Sequence, residues 1–422
     1  MTGEAVMERA IELAWRGWGR VHPNPLVGAV VLDAAGAVAS EGFHGEFGGP
    51  HAERVALAAA GARARGGTLV VSLEPCHHHG KQPPCTEAIL AAGIARVVFA
   101  LEDPNPVAMG GAEVLRAAGL AVEGGLRRAE AAAQNAPFLG GHRTLERPWV
   151  ALKLATSLDG RIADQLGRSR WISGEQARDF VHWLRAGMDA IGVGGATARV
   201  DDPSLTVRGA VEPRVAPLRV VFDQTGNVPT TLEVLRTARE RPTCVVAGPL
   251  LSSERAEAIE AVGARLIRSG SLRQGMAELR RQGVGSIVVE GGGQLAGALL
   301  GEGLVDRYYW IQSPVWLGEG GVPAVAGLPG AELATAERWT VVERRALGAD
   351  TLRDAGVRNL AQLNQIVPNI EVSSANGTAP LANIYIRGVG QRNTGPNIDS
   401  GVGIYIDGVY VGRPDGALLD IY

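Results

Sequence analysis

Short apolar runs alternate with helix-period segments along the chain as far as about residue 352. In the first part, residues 27–32 and Thr68–Leu73 are apolar runs bounded by turn residues, a pattern typical of buried strands. A helix is predicted to open at His51, after the turn residues 48–50. Another is predicted to open at residues 83–85, because proline suits the first helical turn. The pattern therefore places these points where strands lead into helices.

The same alternation continues beyond a break at residues 140–148, where glycine, charge and proline interrupt the pattern. Five further apolar runs are separated by helix-period segments: residues 149–154, 190–193, 218–222, 243–246 and 286–289. Strands that alternate with helices predict an α/β protein in which helices cover a mostly parallel sheet. The break predicts a domain boundary near residue 145.

Composition narrows the class of protein. A chain of 422 residues with 46% hydrophobic residues is long enough for two to three domains with real cores. The net charge of -3 gives no basic surface for nucleic acid, and no apolar run approaches the ~20 residues of a membrane helix. The acidic N-terminus is unlike a signal segment, and three cysteines indicate a reducing compartment, with Cys244 interpreted as a buried strand residue. We therefore expect a cytoplasmic enzyme with no nucleic-acid or membrane partner.

A histidine, two cysteines and a glutamate have the residue types of a zinc enzyme. His51, Cys76 and Cys85 would supply the three protein ligands of a catalytic Zn²⁺, whose fourth position is left to water. Glu53 is close enough to take a proton from that water and pass it to a leaving amine, as in the zinc nucleobase deaminases. The two cysteines are nine positions apart instead of the usual three, so a surface histidine with two unrelated thiols is the alternative. The adjacent histidines 77–79 rank below His51, because neighbouring side chains point in divergent directions.

A second chemical pattern is the triple glycine at residues 291–293, which follows the apolar run 286–289 and precedes a predicted helix. Glycines at such a junction let backbone amides approach a phosphate, and a helix N-terminus favours its charge. The pattern is not the Gly-x-Gly-x-x-Gly fingerprint, and an ordinary turn is the alternative.

Four stretches of the N-terminal part, residues 22–28, 51–53, 73–85 and 103–106, resemble the deaminase half of the bifunctional riboflavin-biosynthesis deaminase/reductases. In that family the longer cysteine spacing is the norm. The resemblance implies a cytidine-deaminase-like fold, zinc on the histidine and the two cysteines, and proton transfer by Glu53. The implied substrate is a diaminopyrimidinone that carries a ribosylamino 5-phosphate. The residues implied to bind it are Asn24, His44, Lys81 and Asn105.

Residues 153–161, 169–173 and 197–208, together with the triple glycine, resemble the reductase half of the same family. The resemblance implies a fold like that of dihydrofolate reductase, in which NADPH delivers hydride to C1 of the opened ribose. The residues implied to line the NADPH site are Ala155, Trp171, Thr197, Asp201, Gly292, Gly293, Gln294, Leu295, Ala296, Gly297 and Ala298. Those implied to contact the substrate are Ser169, Arg185, Leu205, Arg208 and Glu290. The proton donor is left open among Lys153, Asp201 and Glu290, and the sequence alone does not distinguish NADPH from NADH.

The family pattern ends near residue 352, and residues 353–422 are richer in Asn, Gly, Ile and Tyr. Residues 367–370, 384–391 and 401–413 resemble part of the plug of TonB-dependent outer-membrane receptors. A lipid-facing barrel needs many alternating strands, so we expect no receptor activity from this tail. We interpret it as a fusion, frameshift or assembly join that is poorly ordered or forms a few short strands. A functional appended module is the alternative.

The expected architecture is a zinc-dependent pyrimidine deaminase domain at 1–145, an NADPH-dependent reductase domain at 149–352 and a plug-like tail at 353–422. We expect a homo-oligomer that acts on small phosphorylated pyrimidines. Two other interpretations stay open: a deaminase of nucleosides or nucleic-acid bases, and, for the tail, an outer-membrane receptor fragment.

Overall fold

The chain divides into two compact units in the computed structural model. The first unit holds Met1–Leu328 and Arg345–Leu352, and the second holds Pro329–Arg344 and Arg353–Tyr422. The residues that the structure describes are 2–143, 145–334, 336 and 338–357, followed by the backbone of five short strands between residues 370 and 411. Within the first unit, we call residues 2–143 the N-terminal region, and residues 149–328 with 345–352 the central region.

The N-terminal region is a five-stranded sheet with helices, in the strand order β2-β1-β3-β4-β5. Its elements are α1 (Gly3–Ala14), β1 (Gly28–Leu32), β2 (Val38–Phe43), α2 (Ala52–Ala60), β3 (Thr68–Leu73), α3 (Cys85–Ala91), β4 (Arg96–Leu101), α4 (Gly111–Ala117), β5 (Ala121–Gly124), α5 (Arg128–Gln134) and α6 (Ala136–Arg143). β1 runs antiparallel to β2 and β3, whereas β3, β4 and β5 are parallel. The two apolar runs that the sequence analysis interpreted as strands are β1 and β3. Both are buried nearly throughout, as expected of strands covered on both faces.

Helix α1 shows how the apolar pattern builds the core of this region. Its residues Val6, Met7, Ala10 and Leu13 recur at helical spacing and are each at most 1% exposed. The helix packs closely on β1: a Cβ atom on Gly28 would lie 2.0 Å from the carbonyl oxygen of Ala10. Only glycine permits this approach, which holds the start of β1 directly against the backbone of α1.

The central region is built on a nine-stranded sheet in the order β11-β10-β9-β8-β12-β6-β13-β16-β15. Its elements, with the strand ends that continue past the region, are β6 (Trp149–Thr156), β7 (Arg161–Ala163), α7 (Glu175–Ala186), β8 (Ala190–Gly194), α8 (Gly195–Asp201), β9 (Leu218–Asp223), α9 (Glu233–Arg236), β10 (Thr243–Ala247), α10 (Ser253–Ala261), β11 (Arg265–Arg268), α11 (Leu272–Arg281), β12 (Ser286–Glu290), α12 (Gly293–Gly301), β13 (Arg307–Gln312), β14 (Val322–Pro323), β15 (Thr340–Leu347) and β16 (Asp350–Val357). The five apolar runs of the sequence analysis are all strands of this sheet: β6, β8, β9, β10 and β12. The ladders from β11 to β13 are parallel, which confirms the mostly parallel sheet.

Strand order positions the second site. β12 lies between β6 and β8, although it comes last of the three along the chain. Because the three strands are parallel, their carboxyl ends meet at one edge of the sheet. Crevices at such edges are where open α/β sheets bind ligands.

The two regions share a hydrophobic core that includes Trp18 of the N-terminal region. Its ring stacks on that of Trp183 at a centroid distance of 4.7 Å, and its Nε1 donates a 2.7 Å hydrogen bond to the Trp183 carbonyl oxygen. A Cβ atom on Gly187 would lie 2.1 Å from the Trp18 ring, so glycine is what admits the indole here. Val21 and Leu26 of the N-terminal region belong to the same core.

The second unit contains short strands over the part described. β17 (Ile370–Ser374), β18 (Ala382–Ile386) and β19 (Val389–Gly390) form an antiparallel sheet, and β20 (Ile404–Ile406) pairs with β21 (Val409–Val411). The plug-like motifs at 367–370, 384–391 and 401–413 lie partly outside the described residues. Among the residues described, no helix has the length and apolarity needed to cross a membrane.

Candidate active sites

The fold brings together the histidine and the two cysteines that the sequence analysis selected as zinc ligands. His51 is the N-cap of α2, Cys76 follows β3, and Cys85 is the first residue of α3. Nδ1 of His51 lies 3.5 Å from Sγ of Cys76 and 3.3 Å from Sγ of Cys85, and all three ligand atoms lie within 4.8 Å of one another. Tetrahedral Zn²⁺ with bonds of about 2.0–2.3 Å holds its ligand atoms about 3.5 Å apart. The donor set and its spacing therefore fit a zinc ion.

Electrostatics at this cluster favour the thiolate that a metal requires. The hydrogen bond with Cys85 lowers the pKa of the Cys76 thiol, against the opposing effect of burial. The hydrogen bond with Cys76 in turn raises the pKa of His51. The hydrogen bond with Cys76, together with burial, raises the pKa of the Cys85 thiol, so of the two cysteines it is Cys76 that is favoured as the thiolate, the form that binds metals.

Glu53 lies in the first turn of α2, two residues after His51, and is only 3% exposed. Its side chain lines the same cavity as His51 and Cys76. Burial raises the pKa of the Glu53 carboxyl, because removal from water disfavours the charged form. A carboxyl group with a raised pKa is suited to both accept and donate a proton near neutral pH.

The cavity next to this cluster has a volume of about 390 Å³. All four residues that the family resemblance implied for substrate binding line it: Asn24, His44, Lys81 and Asn105. Phe47 also lines it, and Nζ of Lys81 lies 3.8 Å from the centre of the Phe47 ring. This cation–π contact holds the lysine at the cavity wall. Sequence analysis did not select Phe47, since a lone phenylalanine in a loop has no distinguishing pattern.

His44 is held in one tautomer by its neighbours. Its Nδ1 lies 3.0 Å from the Pro50 carbonyl oxygen, which can only accept, so Nδ1 carries the hydrogen. Its Nε2 then accepts from Nδ2 of Asn24 at 3.1 Å. The ring is 2% exposed and burial lowers the pKa of His44, which favours the neutral form. The pair therefore presents a fixed polar surface to the cavity, with the His44 ring edge-on to that of His51 at 5.4 Å.

Glu74 is a buried carboxylate to which sequence analysis assigned no role, although it lies in the cysteine motif. One carboxylate oxygen accepts from the backbone amides of Gly110 and Ala112, and the other accepts from the amide of Asp103. These bonds tie the loop that carries Asn105 to the end of β3. A glutamate directly after a buried strand was the available signal, but its partners are about thirty positions or more away along the chain.

The three adjacent histidines diverge, as the sequence analysis expected. Nδ1 of His77 lies 3.4 Å from the Ala108 carbonyl oxygen, while exposed His79 lies 3.5 Å from Glu87. His78 lines the cavity. Over the part of the chain described, none of the three belongs to the metal-ligand group.

A second cavity, of about 1440 Å³, opens at the carboxyl ends of β6, β8 and β12. Most residues implied for the reductase line it: Lys153, Ala155, Ser169, Trp171, Arg185, Thr197, Asp201, Leu205, Arg208, Glu290, Gly292, Gly293, Gln294, Leu295 and Ala298. Ala296 and Gly297 do not. Ala296 is fully buried, and a Cβ atom on Gly297 would lie 1.9 Å from the Ala326 carbonyl oxygen. These two residues pack α12 against its neighbours, and their part in the NADPH site stays a prediction.

The triple glycine forms the turn between β12 and α12. Gly291 and Gly292 have φ values of +76° and +87°, which lie in the left-handed region that favours glycine. A Cβ atom on Gly292 would also lie 2.8 Å from Oγ1 of Thr197. The bare backbone therefore faces the cavity beside a threonine, at the N-terminus of α12. Such a cradle fits a phosphate group of a dinucleotide.

Lys153, Arg185 and Glu290 form a buried charged cluster at the same edge. Lys153 on β6 is in register with Glu290 on β12. The Arg185 guanidinium donates two hydrogen bonds to the Glu290 carboxylate, one of 2.8 Å, and a third of 2.8 Å to the Thr206 carbonyl oxygen. Burial would raise the pKa of Glu290, but Arg185 outweighs it and the net shift is downward. Burial lowers the pKa of Lys153, partly opposed by Glu290.

Asp201 and Trp171 also line this cavity. Oδ1 of Asp201 accepts from the Ser169 hydroxyl at 2.9 Å. The Trp171 ring is 70% exposed and lies 4.8 Å from the Arg178 guanidinium. Sequence analysis missed His182, which also lines the cavity and accepts from the Arg208 amide through Nδ1 at 3.2 Å. Nothing in its surrounding sequence distinguished this histidine from a helix surface residue.

Comparisons with known proteins match the two regions to two families. Residues 1–101 match the model of the cytidine and deoxycytidylate deaminase zinc-binding region, and residues 148–352 match that of the RibD C-terminal domain. Residues 337–422 match the TonB-dependent receptor plug domain. The zinc-binding region contains His51 and both cysteines. The tail match covers the plug-like motifs of the sequence analysis.

Relatives match over most of their length. The riboflavin biosynthesis protein RibD of Escherichia coli (strain K12) is 40% identical over 375 residues, which cover 83% of this chain and 98% of the relative. RibD of Aquifex aeolicus (strain VF5) is 40% identical over 317 residues, covering 74% and 87%. The solved structure of Acinetobacter baumannii RibD, form 1, has a TM-score of 0.72 and 35% identity, covering 84% of this chain and 98% of that one.

A deaminase/reductase structure from Thermotoga maritima, described as a diaminohydroxyphosphoribosylaminopyrimidine deaminase/5-amino-6-(5-phosphoribosylamino)uracil reductase, has a TM-score of 0.71 and 34% identity. The match covers 84% of this chain and 98% of the Thermotoga maritima chain. With two family-model matches and relatives covered nearly end to end, the assignment is plain. The chain belongs to the RibD family and is an enzyme of riboflavin biosynthesis that combines a deaminase with a reductase.

Proposed function

We propose that the chain catalyses two consecutive steps. The first is hydrolytic deamination of 2,5-diamino-6-(5-phosphoribosylamino)pyrimidin-4-one. The second is reduction of the ribosyl group by NADPH, which gives 5-amino-6-(5-phosphoribitylamino)uracil. One observation carries the proposal: the ligand atoms of His51, Cys76 and Cys85 lie within 4.8 Å of one another, and His51 and Cys76 line a cavity together with buried Glu53.

In the deaminase, His51, Cys76 and Cys85 would hold the metal. Zinc, when bound, supplies the Lewis acidity that gives hydroxide near neutral pH. Glu53 takes the proton of the attacking water and delivers it to the leaving amine. Its burial and raised pKa support this, because a carboxyl group that is easily protonated transfers a proton in both directions.

Polar residues that line the cavity would orient the pyrimidine. Asn24 and neutral His44, joined by a 3.1 Å hydrogen bond, would contact the ring, with Asn105 on the loop that Glu74 anchors. Lys81 supplies a positive charge for a carbonyl oxygen or for the ribose phosphate. Its contact with Phe47 keeps this charge at the cavity wall.

In the reductase, the glycine turn at 291–293 would receive a phosphate of the dinucleotide beside Thr197, and Asp201 lines the same cavity. NADPH, when bound, supplies the hydride. Arg208 lies at the cavity and is suited to the substrate phosphate by its forked donors. We propose NADPH rather than NADH because NADPH is the cofactor that the family resemblance implies.

Among the three candidate proton donors, we assign the role to Lys153. Glu290 is held ionised by Arg185 and so has no proton to give, while Oδ1 of Asp201 is occupied as the acceptor of the Ser169 hydroxyl. Burial lowers the pKa of Lys153, which makes its proton easier to release. The lysine would protonate the ring oxygen as the ribose opens.

The test is zinc content together with product analysis. Purified protein should contain one zinc per chain, deaminate the phosphorylated diaminopyrimidine without NADPH, and form the ribityl product only when NADPH is added. A protein that deaminates cytidine but ignores the phosphorylated diaminopyrimidine would instead be a nucleoside deaminase. Homo-oligomer formation and a cytoplasmic location stay predictions. All residues in these roles precede residue 352, so we propose no part for the plug-like tail in either reaction.

A further inference from the structure

The loop between α1 and β1, residues 18–27, belongs to the deaminase cavity but is held by the central region. Trp18 at its start stacks on Trp183, as described above. Gly19 has a φ of +76°, and a Cβ atom there would lie 3.0 Å from both the Ala186 carbonyl oxygen and a Val211 methyl group. The loop is therefore packed against the central region without space for a side chain at position 19.

Arg214 of the central region makes three contacts with this part of the deaminase. Its backbone amide donates to the Gly19 carbonyl oxygen at 2.9 Å. Its guanidinium donates to the His22 carbonyl oxygen at 2.8 Å and lies 4.6 Å from the centre of the Phe47 ring. Arg214 thus contacts both the loop and Phe47, a residue that lines the deaminase cavity.

The His22 side chain is held from the same direction. Its imidazole pairs with Oδ1 of Asp189, at the start of β8. The other oxygen of Asp189 accepts from the backbone amides of Gly285 and Ser286 at 2.9 and 2.8 Å. His22 is therefore tied to the central sheet through an anchored carboxylate.

These contacts lead directly to groups that line the cavity. His22 is two positions before Asn24, whose side chain bonds to His44. The Phe47 ring contacts Lys81, whose Nζ lies 3.8 Å from the ring centre. The Phe47 backbone amide donates to the Arg20 carbonyl oxygen at 3.2 Å. Asn24, His44 and Lys81 all line the cavity. Displacement of the loop would move them together, while the zinc ligands on α2, β3 and α3 would stay in place.

We propose that Arg214, a residue of the reductase half, is a positioning residue for deamination. It sets Asn24 and Lys81 through His22 and Phe47, so the reductase half completes the deaminase's substrate pocket. This inference rests on the proposed function of the two sites. Loss of the contacts weakens substrate binding because the groups that bind the substrate are no longer held at the distances and angles that hydrogen bonds require.

The test compares Arg214→Met with the wild-type enzyme in separate deaminase and reductase assays. The methionine retains apolar contact with Phe47 but donates no hydrogen bond to His22. We expect the deaminase KM to rise by about tenfold with a much smaller change in kcat, the size of effect that loss of a charged hydrogen bond produces. Zinc content and the reductase KM and kcat should not change. Arg214→Lys, which keeps a charged donor, should recover most of the lost affinity.

Arg239→Met is the matched control. Arg239 is an exposed arginine of the central region that also donates to a backbone carbonyl, that of Ala261 at 2.8 Å, but it does not line either cavity. This variant should have wild-type kinetics in both assays. If Arg214→Met has a wild-type deaminase KM, or if only kcat falls as it would with a smaller folded fraction, the positioning role is wrong. If the wild-type enzyme does not deaminate the phosphorylated diaminopyrimidine, the proposed function fails instead.

Discussion

Nδ1 of His51 lies 3.3 Å from Sγ of Cys85, although the two residues are 34 positions apart in the chain. The contact exists because the start of α2 and the start of α3 meet beside the end of β3. His51 and Cys85 are held at the N-termini of these two helices, and Cys76 is in the loop that follows β3.

Replacement of Cys85 by serine should remove zinc from the enzyme. Serine offers no thiolate, so two ligands remain where a catalytic zinc site uses three. We expect metal analysis to find less than one zinc per chain and deamination to be lost, with the reductase unaffected. Cys244→Ala, at a buried cysteine in β10, is the control and should keep its zinc. Full zinc content in Cys85→Ser would exclude Cys85 as a ligand.

Replacement of Glu53 by glutamine should abolish deamination while zinc is retained. The amide keeps the size of the side chain but transfers no proton, so kcat should fall by at least about 100-fold. Reductase activity, measured with the deaminated intermediate, should be that of the wild type. The control is Glu87→Gln on α3, where the side chain is exposed. Loss of zinc from the Glu53 variant would show that its role has been misassigned.

Replacement of Gly292 by alanine should weaken NADPH binding. The new Cβ atom would lie 2.8 Å from Oγ1 of Thr197, at a φ of +87° that alanine rarely adopts. We expect the KM for NADPH to rise about tenfold, since the phosphate cradle is displaced. Gly283→Ala has a comparable φ of +92° but no neighbour within 4 Å of the added atom. Equal effects of the two substitutions on the KM would mean that backbone strain alone, and not the cradle, is responsible.

Replacement of Glu290 by glutamine should destabilise the protein in a pH-dependent way. The change leaves the buried Arg185 charge without its carboxylate, which costs about 3 kcal/mol. The pKa of Glu290 is lower in the folded protein, so its stabilisation is complete above the unfolded-state pKa of about 4.3. The stabilisation is lost as the pH falls through the lower folded-state pKa.

Urea unfolding of wild-type and Glu290→Gln protein, at pH 7 and at decreasing acidic pH, measures this difference. The gap in unfolding free energy should be constant down to about pH 4.3 and narrow below it. Glu123→Gln, which breaks the exposed Arg96–Glu123 pair, should have little effect at any pH. A gap that widens in acid would contradict the assigned direction of the pKa shift.

Local pattern was sufficient for much of the fold. The run Thr68–Leu73 is β3 with the predicted bounds, because six apolar or small residues between turn residues suit a strand buried on both faces. The helix starts near His51 and Cys85 could also be predicted, because glycine and proline come just before them. Residue type suggested His51, Cys76 and Cys85 as zinc ligands, but the nine-position spacing of the cysteines left an unrelated pair of thiols as the alternative. The family resemblance favoured the zinc site, because that spacing is the norm in the family.

Other parts of the sites had no local signal. Glu74 acts through amides at residues 103, 110 and 112, and His182 enters the second cavity from a helix whose pattern indicates only an amphipathic surface. The family resemblance implied Ala296 and Gly297 for the NADPH site, but it gave no sign that Ala296 is fully buried or that Gly297 packs against the Ala326 carbonyl oxygen. Direction of a side chain on a helix depends on what the helix packs against, and a motif does not contain that information.

The sequence by itself determined the alternating elements, the metal-ligand types, the glycine turn and the change of character after residue 352, because each is a property of neighbouring residues. Only the tertiary structure decided that His51 Nδ1 meets two thiols, that Lys153 stands beside the Arg185–Glu290 pair, and that Arg214 supports a cavity of the other half. These relationships join residues that are distant in sequence. They arise because burial of apolar faces brings whole elements together, and the polar groups carried at their ends then become neighbours.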